Sequence, residues 1–241
     1  MLEEFARFEF KYVLDRDLSA LVKQEVSEFM EIDPFVKKQQ LEDYYVRSLY
    51  FENKVFQNFY EKIDGVKNRT KYRLRTYSAE KSTSPVFLES KNRNNNRVHK
   101  LRQEIRIEDV DHILHNPHDI LEKYRTGIFD GFYFECIKYK IKPVVLIEYM
   151  RAPFVSEHDG KFRITFDTNL RGGSSEQLWG SKNLGIAWKW LIPQHDIMEV
   201  KFNRRVPVWF HRIVQSHGLQ RVSISKFVLG IDRLNLAKNL S

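Results

Sequence analysis

Thr70-Lys71-Tyr72-Arg73-Leu74-Arg75-Thr76-Tyr77 places a cation at every second position from Lys71 to Arg75. Successive side chains on a strand point to opposite faces. Lys71, Arg73 and Arg75 therefore share one face, and Tyr72, Leu74 and Thr76 the other. One face is a row of positive charge and the other suits a core. The same period recurs outward along the chain. Arg7, Glu9 and Lys11 oppose Phe8, Phe10 and Tyr12; Lys100, Arg102, Glu104 and Arg106 oppose Leu101, Ile105 and Ile107. Glu89 and Lys91 line up with Phe87, Arg151 with Tyr149 and Ile147, Arg163 with Thr165 and Asp167, and Glu199 and Lys201 with Ile197.

A charged strand face is ordinarily a solvated one, and that accounts for any single strand here. The set is harder to explain that way. Same-face neighbours sit about 7 Å apart, where like charges repel by roughly 2 kcal/mol at an effective dielectric near 20. A chain seeking only solubility would alternate signs. Two helical segments also carry apolar stripes able to cover a barrel from outside: Leu18, Leu21, Val22, Val26 and Phe29, and Val208, Trp209, Ile213 and Val214. If helices coat the outside, the charged faces converge on an enclosed channel, which a polyanion would neutralise.

Nine segments read as strands: 5–13, 44–51, 70–77, 86–92, 100–107, 133–141, 144–151, 163–167 and 196–202. Helices are expected over Asp15–Glu31, Val55–Ile63, Pro207–His217 and Ser225–Leu240, with weaker ones over Asp109–Leu114 and His118–Tyr124. Asp15 or Asp17 can cap the first, and Gly218 can stop the one that Pro207 opens. Asn92-Arg93-Asn94-Asn95-Asn96-Arg97 reads as a polar loop and Gly172-Gly173 as a turn. The expected fold is α+β: an antiparallel β-barrel tunnel of about eight strands, helices packed outside, as one domain over 1–241.

Composition agrees with a globular chain. The 241 residues are 42% hydrophobic and 30% charged, with a formal net charge of +8. That balance favours an anionic partner. Nucleic acid would call for an open basic face with exposed aromatics rather than enclosed charge. No apolar run reaches the roughly 18–20 residues that span a bilayer. Met1-Leu2-Glu3-Glu4-Phe5 lacks the pattern of a secretory signal, and Cys136 is the lone cysteine, so no disulfide within these residues and no multi-cysteine zinc site is expected. A cytoplasmic location is the expectation.

Arg7-Phe8-Glu9-Phe10-Lys11-Tyr12, Ser48-Leu49-Tyr50-Phe51, Tyr60-Glu61-Lys62-Ile63-Asp64-Gly65, Lys71-Tyr72-Arg73-Leu74-Arg75, Leu88-Glu89-Ser90-Lys91, Met198-Glu199-Val200-Lys201-Phe202 and Ser225-Lys226-Phe227 occur in this order. The ordered set resembles the catalytic domain of the vacuolar transporter chaperone (VTC) polyphosphate polymerases, within the triphosphate tunnel metalloenzymes. The resemblance spans nearly the whole chain. It implies Arg73, Arg75, Lys91 and Lys226 as the catalytic phosphate-holding set. It further implies phosphate binding by Lys11, Lys100, Arg151, Arg163 and Lys201, and a metal on Glu199. Many tunnel enzymes open with Glu-x-Glu-x-Lys; position 7 here is Arg, which leaves Glu9 as the only acid of that motif and weakens a two-metal hydrolase. The eukaryotic family members add a regulatory domain and membrane helices, so a separate membrane partner is a possible complement to this chain.

The reaction implied is transfer of the γ-phosphate of ATP to a growing polyphosphate, with Mn²⁺ or Mg²⁺. A terminal phosphate, with a second pKa near ~6, is largely ionised at neutral pH and needs no general base. Hydrolysis of tripolyphosphate or nucleoside triphosphate, and polyphosphate binding without turnover, are the alternatives. Among other residues, His112 and His115 lack the acid of a metal-binding helix, and the four tryptophans read as packing. Glu148 has the parity of an outer-face residue, Asp167 reads as orienting a tunnel arginine, and Glu9 and Glu89 as ordering neighbouring cations.

Overall fold

The computed structural model describes residues 8–94, 97–157, 159–179 and 185–237, and for 94, 97 and 98 the backbone alone. Arg7, the start of the first expected strand, Asn95, Asn96 and the last residues of the C-terminal expected helix lie outside the described residues. Strand β1 (Phe8–Asp15) leads into helix α1 (Arg16–Ser27), and β2 (Glu31–Ile32) into α2 (Pro34–Lys37). Then come β3 (Tyr44–Glu52), α3 (Gln57–Ile63), β4 (Arg69–Thr76), β5 (Val86–Asn94) and β6 (Arg97–Ile105). Helices α4 (Val110–His115) and α5 (Gly127–Lys138) precede β7 (Lys142–Val155), β8 (Arg163–Ser174), β9 (Lys189–Trp190) and β10 (His195–Phe202). Helices α6 (Val208–Ser216) and α7 (Lys226–Arg233) close the described chain.

The sheet runs β1-β10-β8-β7-β3-β4-β5-β6, with β2 on β7 and β9 on β8. The antiparallel sheet is the expected one. Closure is not: among the described residues no pairing joins β6 to β1, and the sheet is not closed into a barrel.

Local chemistry sets several helix ends. The Asp15 carboxylate accepts the Leu18 N–H at 2.8 Å, so Asp15 is the α1 cap. Gly218, at φ +58°, ends the α6 region in a left-handed conformation that costs glycine little. Three expectations need correction. Residues 133–141, expected as a strand, belong mainly to α5. Thr126 caps that helix, and Ile128, Phe129, Phe132 and partly buried Cys136 recur at helical spacing on its packed side. Asn92–Arg97 is no broad loop, because β5 and β6 run into it and pair up to Asn94 and Arg97. Gly172 and Gly173 lie inside β8 rather than at a turn. A Cβ on Gly173 would fall 2.2 Å from Ile186 Cγ2, and one on Gly172 3.1 Å from Leu191 Cδ2, so glycine lets the 186–191 segment lie against the strand.

The chain divides into two compact units, 1–45 with 149–170 and 192–224, and 46–148 with 171–191 and 225–241. In the first, Tyr12, Leu14, Phe154, Ile164, Phe166, Met198 and Val200 form one sheet face. Val22 and Val26 of α1 and Phe210 and Ile213 of α6 cover it. Each such fully buried side chain contributes about 1.5–3 kcal/mol. The α1 stripe is narrower than expected: Leu21 and Phe29 are exposed, and Phe29 stacks on Trp209 at 4.7 Å.

In the second unit Leu49, Phe51, Tyr72, Leu74, Val86, Leu88 and Ile105 make the apolar face, under Phe129 and Phe132 of α5. Helix α7 departs from the expectation that helices lie only on apolar faces. Its Phe227 ring sits 5.4 Å from the ring of Tyr50 and 4.1 Å from the Lys71 ammonium, on the charged face. A Cβ on Gly230 would lie 3.0 Å from both Ile147 and Val145, so the helix seats closely there. Among the described residues no helix is long and apolar enough to cross a membrane.

Candidate phosphate-binding site

In the first unit, parity and register together assemble a charged face opposite the helices. Lys11 of β1 pairs in register with Glu199 of β10, and Glu9 with Lys201. On the other side of β10, Glu199 lies across from Thr165 and Lys201 from Arg163. The Lys11 ammonium donates to the Ile224 carbonyl at 3.1 Å and stands 3.3 Å from Glu9 and 3.5 Å from Glu199. Lys201 donates to Glu199 at 3.1 Å, and Arg151 donates to the same carboxylate at 3.4 Å. Arg151 also makes two parallel bonds, 2.6 and 2.7 Å, to the wholly buried Asp167. Burial works against the Arg151 charge, but Asp167, Tyr149 and Glu199 outweigh it and hold the guanidinium firmly protonated. Arg163 is exposed, its Nε 3.4 Å from the Gly160 carbonyl. All five site residues expected in this unit, Lys11, Arg151, Arg163, Glu199 and Lys201, fall on one face. An open cleft beside β1 is lined by Glu9, Lys11, Gln220, Arg221 and Ser223.

The second unit carries its own charged face. Arg73 pairs in register with Tyr50 on β3 and Glu89 on β5, and Glu89 in turn with Arg102 on β6. Arg73 donates to Glu89 at 2.8 Å and to the Tyr50 hydroxyl at 2.9 Å. Arg75 donates to Ser48 at 3.1 Å and stands 3.8 Å from Glu89, and Arg102 stands 3.3 Å from Glu89. Burial would raise the Glu89 carboxyl. Arg73, Arg75 and Arg102 more than reverse this and bring it down to about 2. Arg73, Arg75 and Lys226 overcome burial at Tyr50 and lower its phenol. Lys91 lies between Lys71 and Lys100 in register. Lys226 is buried at the start of α7, and thus comes from the covering helix and not from a strand. The five residues expected here, Arg73, Arg75, Lys91, Lys100 and Lys226, are placed on this face or on the helix that covers it.

Other expectations divide. Glu148 lies, as its parity implied, away from this face, where it bonds Arg47 at 2.7 Å and also pairs with Arg171. Asp167 and Glu89 order arginines as expected, and Glu9 pairs with Lys11. The His112 ring lies 3.2 Å from an exposed Asp119. Trp179 and Trp188 pack on the second unit's core and Trp209 on the first's, while Trp190 is half exposed. Sequence reasoning passed over Tyr50, Ser48, Arg102 and Lys71 as members of the site. Parity already put Lys71 and Arg102 on charged faces, but cross-strand register, which makes Arg102 a partner of Glu89, is not visible in a single strand.

A divalent cation has a suitable donor in Glu199, a hard oxygen ligand with Glu9 close to the same lysine. Among the described residues no three His, Cys, Asp or Glu side chains gather as a metal cage. That donor set suits Mg²⁺ or Mn²⁺, which bind through one or two carboxylates and complete their shell with water and substrate phosphates.

Over 116 residues, 39% of this chain, the sequence is 31% identical to vacuolar transporter chaperone complex subunit 4 of Schizosaccharomyces pombe, and the match spans 16% of that protein's length. A Bacillus halodurans protein provisionally assigned as an adenylate cyclase shares the fold, with a TM-score of 0.53 at 14% identity, over 95% of this chain and 97% of that one. The VTC domain model matches residues 6–235, nearly the whole length. The chain belongs to the VTC domain family.

Proposed function

We propose that this protein is a polyphosphate polymerase that transfers the γ-phosphate of ATP to the end of a polyphosphate chain. The observation that carries the proposal is the interleaving of cations and carboxylates on each charged face: Lys11, Arg151 and Lys201 around Glu199, and Arg73, Arg75 and Arg102 around Glu89. In the absence of phosphate the carboxylates keep the cations from repelling one another. Phosphate oxygens then take over these donors, as forks from arginine and as point charges from lysine. Phosphoryl transfer asks for positioning and charge neutralisation more than for covalent help, which fits a face with many donors and no paired acid and base. By the resemblance, Arg73, Arg75, Lys91 and Lys226 serve as the catalytic phosphate-holding set, and Lys11, Lys100, Arg151, Arg163 and Lys201 serve in phosphate binding.

Glu199, released from its three cations as they turn to phosphate, would hold Mn²⁺ or Mg²⁺ with Glu9 nearby. When bound, the metal supplies neutralisation of charge on the phosphate oxygens. The remaining work falls to the side chains, which fix donor and acceptor phosphates in line and exclude competing water. The relative named above is a complex subunit, and by that analogy this chain works with a partner chain.

Incubation with ATP and Mn²⁺, followed by gel separation, tests the proposal. A ladder of long polyphosphate is expected. Orthophosphate without chain growth would reassign the protein as a hydrolase, and triphosphate binding with neither product would make it a binding module.

A further inference from the structure

Lys71 is the third residue of β4, on the charged face, directly across from Lys91 of β5. Like charges opposed across a ladder repel. The Lys71 Nζ is sealed from water and, among the described residues, has no hydrogen-bond acceptor. It meets the Phe227 ring of α7 instead, at 4.1 Å. A lysine ammonium has three donors, and burying it with none of them satisfied is costly.

The charged groups around it are identified. Among the described residues Glu52, at the end of β3, is the acid that acts on it, and Lys62 of α3, Arg69 of β4 and Lys91 of β5 are the cations. Helix α7 contributes the apolar Phe227, next in sequence to Lys226. Glu52 is itself committed: its oxygens accept the backbone N–H groups of Asn53, Asn58 and Phe59 at 2.9, 3.2 and 3.0 Å, and burial raises its pKa. Burial lowers Lys71 most; Arg69, Lys62 and Lys91 add to this and Glu52 opposes it, and the outcome is a pKa of about 7. The other cations of this face for which carboxylate partners have been described, Arg73, Arg75 and Arg102, share Glu89.

We propose that Lys71 is the proton reserve of this face, taking up a proton when a polyphosphate binds to the neighbouring cations and so matching the added negative charge. The proposal rests on the phosphate-binding reading above. Phosphate oxygens beside Lys91 reverse the sign of the local field, and a nearby anion favours the ammonium form. The unliganded face is thereby spared one more buried like charge, and the liganded face gains it. By linkage, affinity for polyphosphate falls as pH rises above the unliganded value, because the proton must then be drawn from a more dilute pool.

Isothermal titration with tripolyphosphate at pH 8, in two buffers of different ionisation heat, reads the proton count. At that pH the terminal phosphate, with a second pKa near ~6, contributes little itself. Native protein is expected to take up close to one proton per triphosphate, and Lys71→Met at least roughly half a proton less. Lys71→Arg, permanently charged, should show the same deficit and guards against a Met variant that fails to fold. Equal uptake in native and variant proteins would overturn the proposal while leaving phosphate binding intact. Absence of any triphosphate binding to native protein would remove the underlying reading, and this one with it.

Discussion

Arg151 and Asp167 sit on the adjacent strands β7 and β8, and the guanidinium grips the carboxylate through two bonds of 2.6 and 2.7 Å. Asp167 is wholly buried, so this acid serves the arginine and not the solvent. Breaking one side of such a pair leaves a buried charge without its complement, which costs about 3–5 kcal/mol. Asp167→Asn is therefore expected to lower unfolding stability by about 3 kcal/mol in urea melts. It should also weaken tripolyphosphate binding by about tenfold, because Arg151 loses the contact that orients it. Unchanged stability would show that Arg151 finds equal support elsewhere.

Replacing Arg73 and Arg75 together by Ala should abolish polyphosphate synthesis. Sequence alone suggests that this change would also relieve repulsion and stabilise the unliganded protein. The structure reverses the sign. Both arginines neutralise Glu89, which would keep only the more exposed Arg102. A loss of about 2–4 kcal/mol is expected instead, measured by chemical denaturation with circular dichroism. A double variant that retains synthesis would remove these residues from the site.

Glu89 makes stability depend on acid. Its carboxyl lies at about 2 in the folded chain, against an ordinary value of 4.5. The folded state thus binds this proton less readily, and the resulting stabilisation is complete above pH ~4.5 and lost as pH falls towards ~2. The shift corresponds to about 3 kcal/mol. Melting temperature recorded from pH 6 to pH 2 should drop more steeply in the native protein than in Glu89→Gln, which starts lower and varies less.

Glu199 separates binding from turnover. It stands within 3.5 Å of Lys11, Arg151 and Lys201, so it competes with phosphate for these cations. Glu199→Gln should raise triphosphate affinity several-fold, read by calorimetry without metal. The same variant should lose metal-dependent chain growth on a gel. Loss of both would point to a collapsed face instead.

Alternation along single strands was enough to sort cations from core residues. Lys11, Arg73, Arg75, Arg151, Arg163 and Lys201 all lie on the faces their parity assigned, because strand geometry is local and has a period of two. The ordered motifs also carried the family. Residues 133–141 were misread because the packed residues 128, 129, 132 and 136 follow a helical period that begins upstream. The sign and neighbourhood of each charge were beyond local pattern. That Arg102 reaches Glu89, that Glu148 serves Arg47 and Arg171, and that α7 brings Phe227 over Lys71 depend on which strands pair, in which register, and where a distant helix comes to rest. Charges act through space, so their energies are decided by tertiary neighbours, whereas the face a side chain points to is decided by its own backbone.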